Sequence, residues 1–286
     1  MGDAWTGPIW DTHMHLDVNG RGVAAAQDFA NAGGTHLCLV HKPAMPANLS
    51  EMKLHYEATL KMAEAVRKEV GLDVRVVLGP HPVIWEKQVH TMGFEAAGEL
   101  HIASCQLALD LIAEGQAVAL GEVGRPHYPV SDAIWAAANA QLQEVMHMAA
   151  QAGVPIQLHV EDHGAQTNAE LAALCDRAGL ERARAVHHYS QADVSAEFTH
   201  GLSASVSMGK NSLVELIDSF ERCTSTWTME TDFLDDVSRP GAVLGPKTVP
   251  KRTQALANAL ETEQADDLLH NVHRVWPSTL YGVFDP

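Results

Sequence analysis

Eight short apolar stretches, each followed by a helix-like stretch, recur along the 286 residues of the chain. Val23 to Asn31 and Ala165 to Ala178 are predicted helices, which end at Gly33-Gly34 and at Gly179. Strands that alternate with helices predict an α/β fold with a parallel sheet, and eight units favour closure into a (β/α)8 TIM barrel over an open doubly wound sheet. The predicted strands are Ile9–Leu16, His36–Val40, Val74–Leu78, Ala117–Val123, Pro155–Val160, Arg184–Tyr189, Ala204–Met208 and Thr226–Thr231.

The chain offers no obvious point of division. Hydrophobic residues make up 46% of it, which is enough for one sizeable core, and no linker, low-complexity segment or shift in composition interrupts the alternation. We therefore expect residues 1–286 to form a single barrel domain.

Charge and cysteine usage exclude several classes of function. Asp and Glu number 36 against 19 Lys and Arg, a formal charge of −17, whereas non-specific binding to nucleic acid or anionic lipid needs a basic surface. We expect no membrane partner and no extended nucleic-acid-binding surface, but the net charge does not exclude a local basic pocket. The sequence predicts no oligomeric state. The four cysteines are widely spaced, and no signal peptide or membrane span is recognisable, so a reduced, cytoplasmic location is expected.

The first strand carries the motif Asp-x-His-x-His, formed by Asp11, His13 and His15. Because side chains alternate along a strand, all three are expected on one face. Two imidazoles at this spacing can reach one metal ion from a strand but not from a helix. Asp11 could orient the ligands or bind the metal itself, and a polar strand end with two solvated histidines is the simpler alternative.

Unusual polar residues recur at the predicted C-terminal ends of other strands, where side chains converge in a (β/α)8 barrel. One strand-end histidine is more often an ordinary core or surface residue, but several in one layer favour a metal site. Histidines and carboxylates without a thiolate suit Zn²⁺, Mn²⁺, Fe²⁺ or Mg²⁺ rather than a closed structural zinc. The predicted site residues are His13, His15, His81, Glu122, His159, His187 or His188, and Asp232.

This ligand set is larger than the three protein ligands of a mononuclear catalytic zinc, so two adjacent divalent ions are predicted. Glu122 would bridge them. Such a pair lowers the pKa of a bound water and stabilises the attacking and leaving oxygens of a displacement. Asp232 is the predicted base that orients this water and takes its proton.

The ordered motifs resemble those of the TatD-related metal-dependent hydrolases, which belong to the amidohydrolase-type barrels. The matching motifs run from position 11 to 232 and are Asp-x-His-x-His, Gly-Pro-His-Pro, Gly-Glu-Val-Gly, Pro-Ile-Gln-Leu-His, His-His-Tyr-Ser and Glu-Thr-Asp. Further stretches resemble an archaeal, largely uncharacterised branch of the family, namely Ala32–His36, Gly121–Tyr128 and Asp235–Pro250.

The resemblance implies two metal ions, a substrate-facing His81 and phosphodiester hydrolysis, since family members include 3′–5′ exonucleases that act on DNA. The implied ligands are His13, His15, Glu122 and Asp232 for one ion, and Glu122, His159 and the strand-six histidine for the other.

The strand-six motif departs from the family pattern because it has two adjacent histidines. Aligning Tyr189-Ser190 with the family's aromatic-serine pair makes His187 the ligand. Adjacent strand residues face opposite ways, so only one of the two histidines can be the ligand, and His188 is the alternative.

A second departure concerns phosphate binding. Many family nucleases carry a basic residue shortly after the strand-five histidine, where this chain has Glu161-Asp162. Arg125 and Lys247 are the predicted replacements, because a bidentate arginine holds phosphate well and Lys247 lies in a stiff Pro-rich loop suited to a lid. The alternative for Arg125 is an ion pair with a surface carboxylate.

Three hypotheses follow for the function. The first is a divalent-metal hydrolase of phosphodiesters, with single-stranded nucleic acid or a small phosphorylated molecule as substrate. The second keeps the metals but cleaves an amide, lactone or ester, which Glu161 and the net charge favour. The third is a metal-binding barrel without catalysis.

Overall fold

Residues 4–282 are described in a computed structural model, and in this range nine parallel strands form one curled sheet surrounded by helices. The strands follow one another in sequence order around the sheet, as in a (β/α)8 barrel, so the predicted fold class is confirmed. The strands are Trp10–His15 (β1), His36–Val40 (β2), Asp73–Leu78 (β3), Ala119–Gly124 (β4), Ile156–His159 (β5), Ala185–Ser190 (β6), Ser203–Ser207 (β7), Trp227–Glu230 (β8) and Phe233–Leu234 (β9).

The helices begin and end largely where capping residues allow. Asn48 caps the second helix by accepting from the backbone N–H of Glu51, and Ser131 caps the fifth by accepting from that of Ile134. The helices are Val23–Asn31 (α1), Leu49–Val70 (α2), Pro82–Met92 (α3), Phe94–Ala113 (α4), Asp132–Ala152 (α5), Ala165–Ala178 (α6), Ala196–Thr199 (α7), Ser212–Ser219 (α8), Thr248–Ala259 (α9), Thr262–His270 (α10) and Trp276–Tyr281 (α11). Among the described residues, no helix is both long and apolar enough to cross a bilayer.

Alternating strand residues supply two apolar layers. On β2, Leu37 and Leu39 pack outward in the large core beneath the helices, whereas Cys38 and Val40 point inward. The inward layer meets Tyr281 of α11, which closes the end of the barrel at which the strands begin. The opposite end, where the strands terminate, is left open for polar side chains.

Side-chain hydrogen bonds close the seam between β1 and β8. Thr12 Oγ1 lies 2.8 Å from both Ser205 Oγ and Thr228 Oγ1 and donates to the carbonyl oxygen of Met229 at 3.1 Å. The short β9, which the sequence did not indicate, adds to the same seam by pairing with the end of β1. Residues at the end of β8 are thereby held against those at the end of β1.

His273, at the closed end of the barrel, makes the fold sensitive to acid. Its Nδ1 accepts from the N–H of Trp10 at 3.1 Å and its Nε2 lies 2.9 Å from Thr253 Oγ1, so the ring is neutral in the folded state. Burial lowers the pKa of His273 to about 3. The unfolded chain takes up a proton below about pH 6.5 that the folded chain refuses, so the free energy of unfolding falls as the pH drops from 6.5 towards 3, by up to about 1.4 kcal/mol per pH unit.

His273→Asn, which keeps an acceptor near the position of Nδ1, should therefore flatten the loss of stability between pH 6 and pH 4. Urea unfolding at several pH values measures this slope, and His163→Asn, at an exposed histidine, is the matched control. Equal slopes in the His273→Asn variant and the unmodified protein would show that this ring does not carry the effect.

Candidate metal centre

The polar side chains expected to converge do meet at the C-terminal ends of the strands. Three overlapping groups form there, each with its possible ligand atoms within 4.8 Å of one another. The groups are His13, Glu122 and His188; His13, His15 and Asp232; and His81, Glu122 and His159.

Glu122 lies at the centre of the cluster and is almost completely buried. Its Oε1 lies 2.9 Å from Nδ1 of His159 and 3.0 Å from Nε2 of His188, and its Oε2 lies 3.3 Å from Nε2 of His15. Burial alone would raise the pKa of Glu122, but nearby imidazoles outweigh it and hold the pKa well below its usual range. One ionised carboxylate thus faces two sets of imidazoles.

Asp232 completes the cluster from the residue pair that follows β8. Its Oδ1 lies 3.6 Å from Nε2 of His15, and its backbone is left-handed, with φ of 50°. Asp11 fixes this turn, because its carboxylate accepts from the N–H of Thr231 at 3.1 Å and from the Thr231 hydroxyl at 2.6 Å. Asp11 belongs to none of the three groups, so the geometry favours the orienting role over direct metal binding.

The strand-six pair faces opposite ways, as alternation requires, and His188 rather than His187 faces the cluster. Nε2 of His188 points to Glu122, and its Nδ1 lies 3.1 Å from Oε1 of Glu230, a buried carboxylate that the sequence analysis did not single out. His187 points away from the cluster, with its Nδ1 2.7 Å from Oδ1 of Asn168 on α6. The geometry corrects the alignment-based choice of His187 in favour of His188.

Arg125 does not face the cluster, which corrects its predicted role in phosphate binding. Arg125 is 1% exposed, and its guanidinium donates to both carboxylate oxygens of Glu161. It also lies 3.0 Å from Glu170. It also donates to Asn139 at 2.7 Å and lies over the ring of Trp135. The alternative of an ion pair is the correct one, but the carboxylate is buried rather than on the surface.

Lys247 is also displaced from its predicted role. Lys247 lies at the start of α9, and its ammonium is 3.1 Å from Oδ1 of Asp28 on α1. It does not line the cavity that lies over the cluster. Three other cations do, namely Lys42, Lys87 and Arg239. Lys42 could have been found by its position just beyond the end of β2, but no motif marks it.

The cavity over the cluster has a volume of about 450 Å³ and is partly open to solvent. Cluster residues form its floor and the loop after β9 forms one wall. The lining residues are His15, Lys42, Pro43, His81, Val83, Ile84, Lys87, Glu122, His127, His159, Asp232, Leu234, Asp236, Arg239, Ala242 and Val243.

The donor atoms of the cluster fit a divalent metal. Nε2 of His13 and Nε2 of His15 lie 3.2 Å apart, and both face the carboxylates. Oε2 of Glu122 is buried and lies 3.3 Å from Nε2 of His15, but it makes no hydrogen bond of good geometry with the described residues. Nδ1 of His15 lies 3.0 Å from the carbonyl oxygen of Val40, an arrangement that turns Nε2 towards the centre. Imidazole and carboxylate donors are those that Zn²⁺ and Mn²⁺ accept.

Comparisons with known proteins agree with this architecture. Residues 10–277 match the model of a family described as TatD related DNase. An uncharacterised protein of Methanocaldococcus jannaschii, MJ1127, is 30% identical over 281 residues, which are 97% of this chain and 96% of that protein. Among solved structures, the TatD homologue YJJV of Escherichia coli has a TM-score of 0.68 at 20% identity and covers 98% of this chain and 100% of its own. A TatD-family hydrolase of Entamoeba histolytica has a TM-score of 0.61 at 11% identity, with 96% and 99% covered.

Proposed function

The chain belongs to the family of TatD-related DNases, a family of metal-dependent hydrolases, and from this membership we propose that it hydrolyses phosphodiester bonds. The observation that carries the proposal is the buried Glu122 carboxylate, shared between two groups of possible metal ligands, under a cavity lined by three cations. The substrates proposed are the ends of single-stranded nucleic acid or small phosphorylated molecules.

Two divalent ions fit the donor set in this proposal. Bound metal would lower the pKa of a water molecule and stabilise charge on the attacking and leaving oxygens. Imidazole donors favour Zn²⁺ over Mg²⁺, and the carboxylates of the same set also suit Mn²⁺. The proposed ligands are His13, His15, Glu122 and Asp232 for one ion, and Glu122, His159 and His188 for the other.

Two residues of the chain are placed to act on substrate and water. Asp232 is the more accessible cluster carboxylate, with 19% of its side chain exposed against 3% for Glu122, so it is the proposed base that accepts the proton of the attacking water. Nδ1 of His81 accepts from the N–H of Val83 at 3.1 Å, which leaves the proton of the neutral ring on Nε2. Since His81 lines the cavity, this N–H is the proposed donor to a phosphoryl oxygen.

The cavity cations are the proposed phosphate-binding groups, in place of Arg125 and Lys247. Lys87 makes no ion pair with the described residues, and Arg239 has a longer contact, 3.3 Å, with Asp236. Lys42 is held 2.6 Å from Asp17. A small cationic lining on a strongly acidic protein favours a short or terminal phosphate group over a long duplex.

His188→Ala is expected to lose bound metal, whereas His187→Ala is expected to keep it. The second change leaves Oδ1 of the buried Asn168 without its partner, although Nδ2 still donates to the carbonyl oxygen of Phe198, and it should cost about 1–3 kcal/mol of stability. Metal per chain, with unfolding by urea as the second measurement, separates the two effects. Loss of metal in His187→Ala but not in His188→Ala would show that His187 is the ligand.

The activity itself is tested on metal-loaded protein with single-stranded DNA labelled at either end and with bis-p-nitrophenyl phosphate. We expect turnover that chelation abolishes and added Mn²⁺ or Zn²⁺ restores, and Lys87→Ala should raise KM more than it lowers kcat. Absence of phosphodiester cleavage in protein that retains its metal would refute the proposal.

A second candidate activity is hydrolysis of a small amide, lactone or ester. It is favoured by the apolar part of the cavity lining, which includes Val83, Ile84, Leu234 and Val243. A lactone and dipeptide panel, run with the same metal-loaded protein, distinguishes the two, because turnover of these substrates alone would establish the second activity.

We also propose a cytoplasmic location. Support comes from the cysteines, all four of which are free thiols, as expected in a reducing compartment. They are Cys38, Cys105, Cys175 and Cys223.

A further inference from the structure

The loop that follows β4 encloses His159 more closely than a simple connection requires. A Cβ at Gly124, where φ is 151°, would lie 2.0 Å from the carbonyl oxygen of His159, so only glycine permits this approach. The next residue, Arg125, donates its backbone N–H to the same carbonyl at 3.0 Å. The backbone of His159 is therefore fixed by this loop.

The same loop also holds the His159 ring. Nδ1 of His127 lies 2.6 Å from Nε2 of His159. The other nitrogen of His159, Nδ1, lies 2.9 Å from Oε1 of Glu122 and 3.3 Å from Nε2 of His188. The two nitrogens of His159 thus have separate partners, one inside the cluster and one outside it.

A tether to α3 fixes the position of His127. The hydroxyl of the next residue, Tyr128, donates to Oε2 of Glu86 at 2.9 Å. Burial and this carboxylate raise the pKa of Tyr128 to about 12, so the hydroxyl keeps its proton. Glu86 is itself buried, and its Oε1 lies 2.8 Å from Nε2 of His90.

We propose that His127 is a positioning residue for the metal centre, whose Nδ1 accepts the Nε2–H of His159 and leaves Nδ1 of His159 free to bind the ion that it would share with Glu122 and His188. This inference rests on the proposed metal-dependent function. Metal-binding histidines generally donate their other N–H to an acceptor, and loss of that acceptor typically costs about 10- to 100-fold in metal affinity. Here the acceptor is a neutral imidazole, which orients the ring without adding negative charge.

The test is metal binding, measured by competition with a chromogenic chelator and by elemental analysis, using Zn²⁺ and Mn²⁺ as probes. His127→Ala should weaken one of the two ions by about 10- to 100-fold and leave the other unchanged, because His13, His15 and Asp232 do not contact His127. His127→Asn, whose Oδ1 can take the place of Nδ1 as acceptor, should restore most of the affinity. His270→Ala, at an exposed histidine in the last turn of α10, is the control and should bind as the unmodified protein does.

The outcomes separate this inference from the proposed function. If the unmodified protein held no metal after loading, both the inference on His127 and the proposed function would be refuted. Two tightly bound ions in His127→Ala would refute the inference and leave the function intact. His127→Asn as weak as His127→Ala would also refute it, because the ring rather than an acceptor at Nδ1 would then be needed.

Discussion

Glu122→Gln is expected to abolish retention of the two metal ions and to lower kcat/KM by about 100- to 1000-fold. That is the loss that follows removal of one group that stabilises charge in the transition state. Glutamine keeps the shape of the side chain but removes the negative charge, and it places an amide nitrogen where one oxygen now faces imidazoles. Because the two carboxylate oxygens face different histidines, 3.0 Å from His188 and 3.3 Å from His15, both proposed metal positions should weaken together.

The measurement is metal per chain by elemental analysis together with kcat/KM for the phosphodiester panel. Glu230→Gln is the matched control, because Glu230 is also a buried glutamate and lies 3.1 Å from His188, but on the side away from the cluster. We expect a smaller loss there, since glutamine still offers an acceptor to Nδ1 of His188. A Glu122→Gln variant that kept both ions would refute the shared role of this carboxylate.

The sequence was sufficient to predict the barrel because burial on both faces gives parallel strands a pattern that loops lack. His36–Val40, Val23–Asn31 and Ala165–Ala178 have the predicted bounds. The helix Pro82–Met92 is not evident from the sequence, because Gly79-Pro80-His81-Pro82 has the composition of a loop. Proline is favoured in the first turn of a helix, and the His81 side chain caps this one, so the run marked a helix start.

The layer of site residues could be predicted for a topological reason, whereas the direction of single side chains could not. Parallel strands bring their C-terminal ends to one face, so position in the chain was enough to gather His13, Glu122 and Asp232. On β6 the preceding residues, Ala185 and Val186, are both apolar and could lie on either face, so the sequence pattern alone could not say which histidine faces inward. Spacing along the chain carries no information about that choice.

The cations illustrate a second limit, because charge type does not predict what a charge will pair with. Arg125 and Glu161 each follow a ligand strand, and both side chains turn outward to meet each other rather than substrate. The acidic residue that looked like an inverted phosphate site is the partner of the arginine that looked like its replacement. The departure from the family pattern at Glu161 and its predicted replacement, Arg125, are thus the two members of one buried ion pair.

This ion pair leads to the largest expected change in stability. Glu161→Ala should lower the free energy of unfolding by about 3–5 kcal/mol, because it leaves the buried Arg125 guanidinium with only the half-exposed Glu170 as a charged partner. Replacing both members, as Arg125→Met with Glu161→Leu, should cost much less, since no unpaired charge is then buried. Urea unfolding of Arg125→Met, Glu161→Leu and the double variant measures this as a double-mutant cycle.

The same cycle tests whether the pair is structural or part of substrate binding. The Arg125 backbone N–H, not its side chain, holds the carbonyl of His159, so the double variant should keep its metal and its kcat/KM for phosphodiesters. A rise in KM in the double variant, with stability near that of the unmodified protein, would show that Arg125 takes part in phosphate binding. If instead stability recovers and KM is unchanged, the substrate phosphate must be held elsewhere, and the cavity residues Lys42, Lys87 and Arg239 are the cations that remain for it.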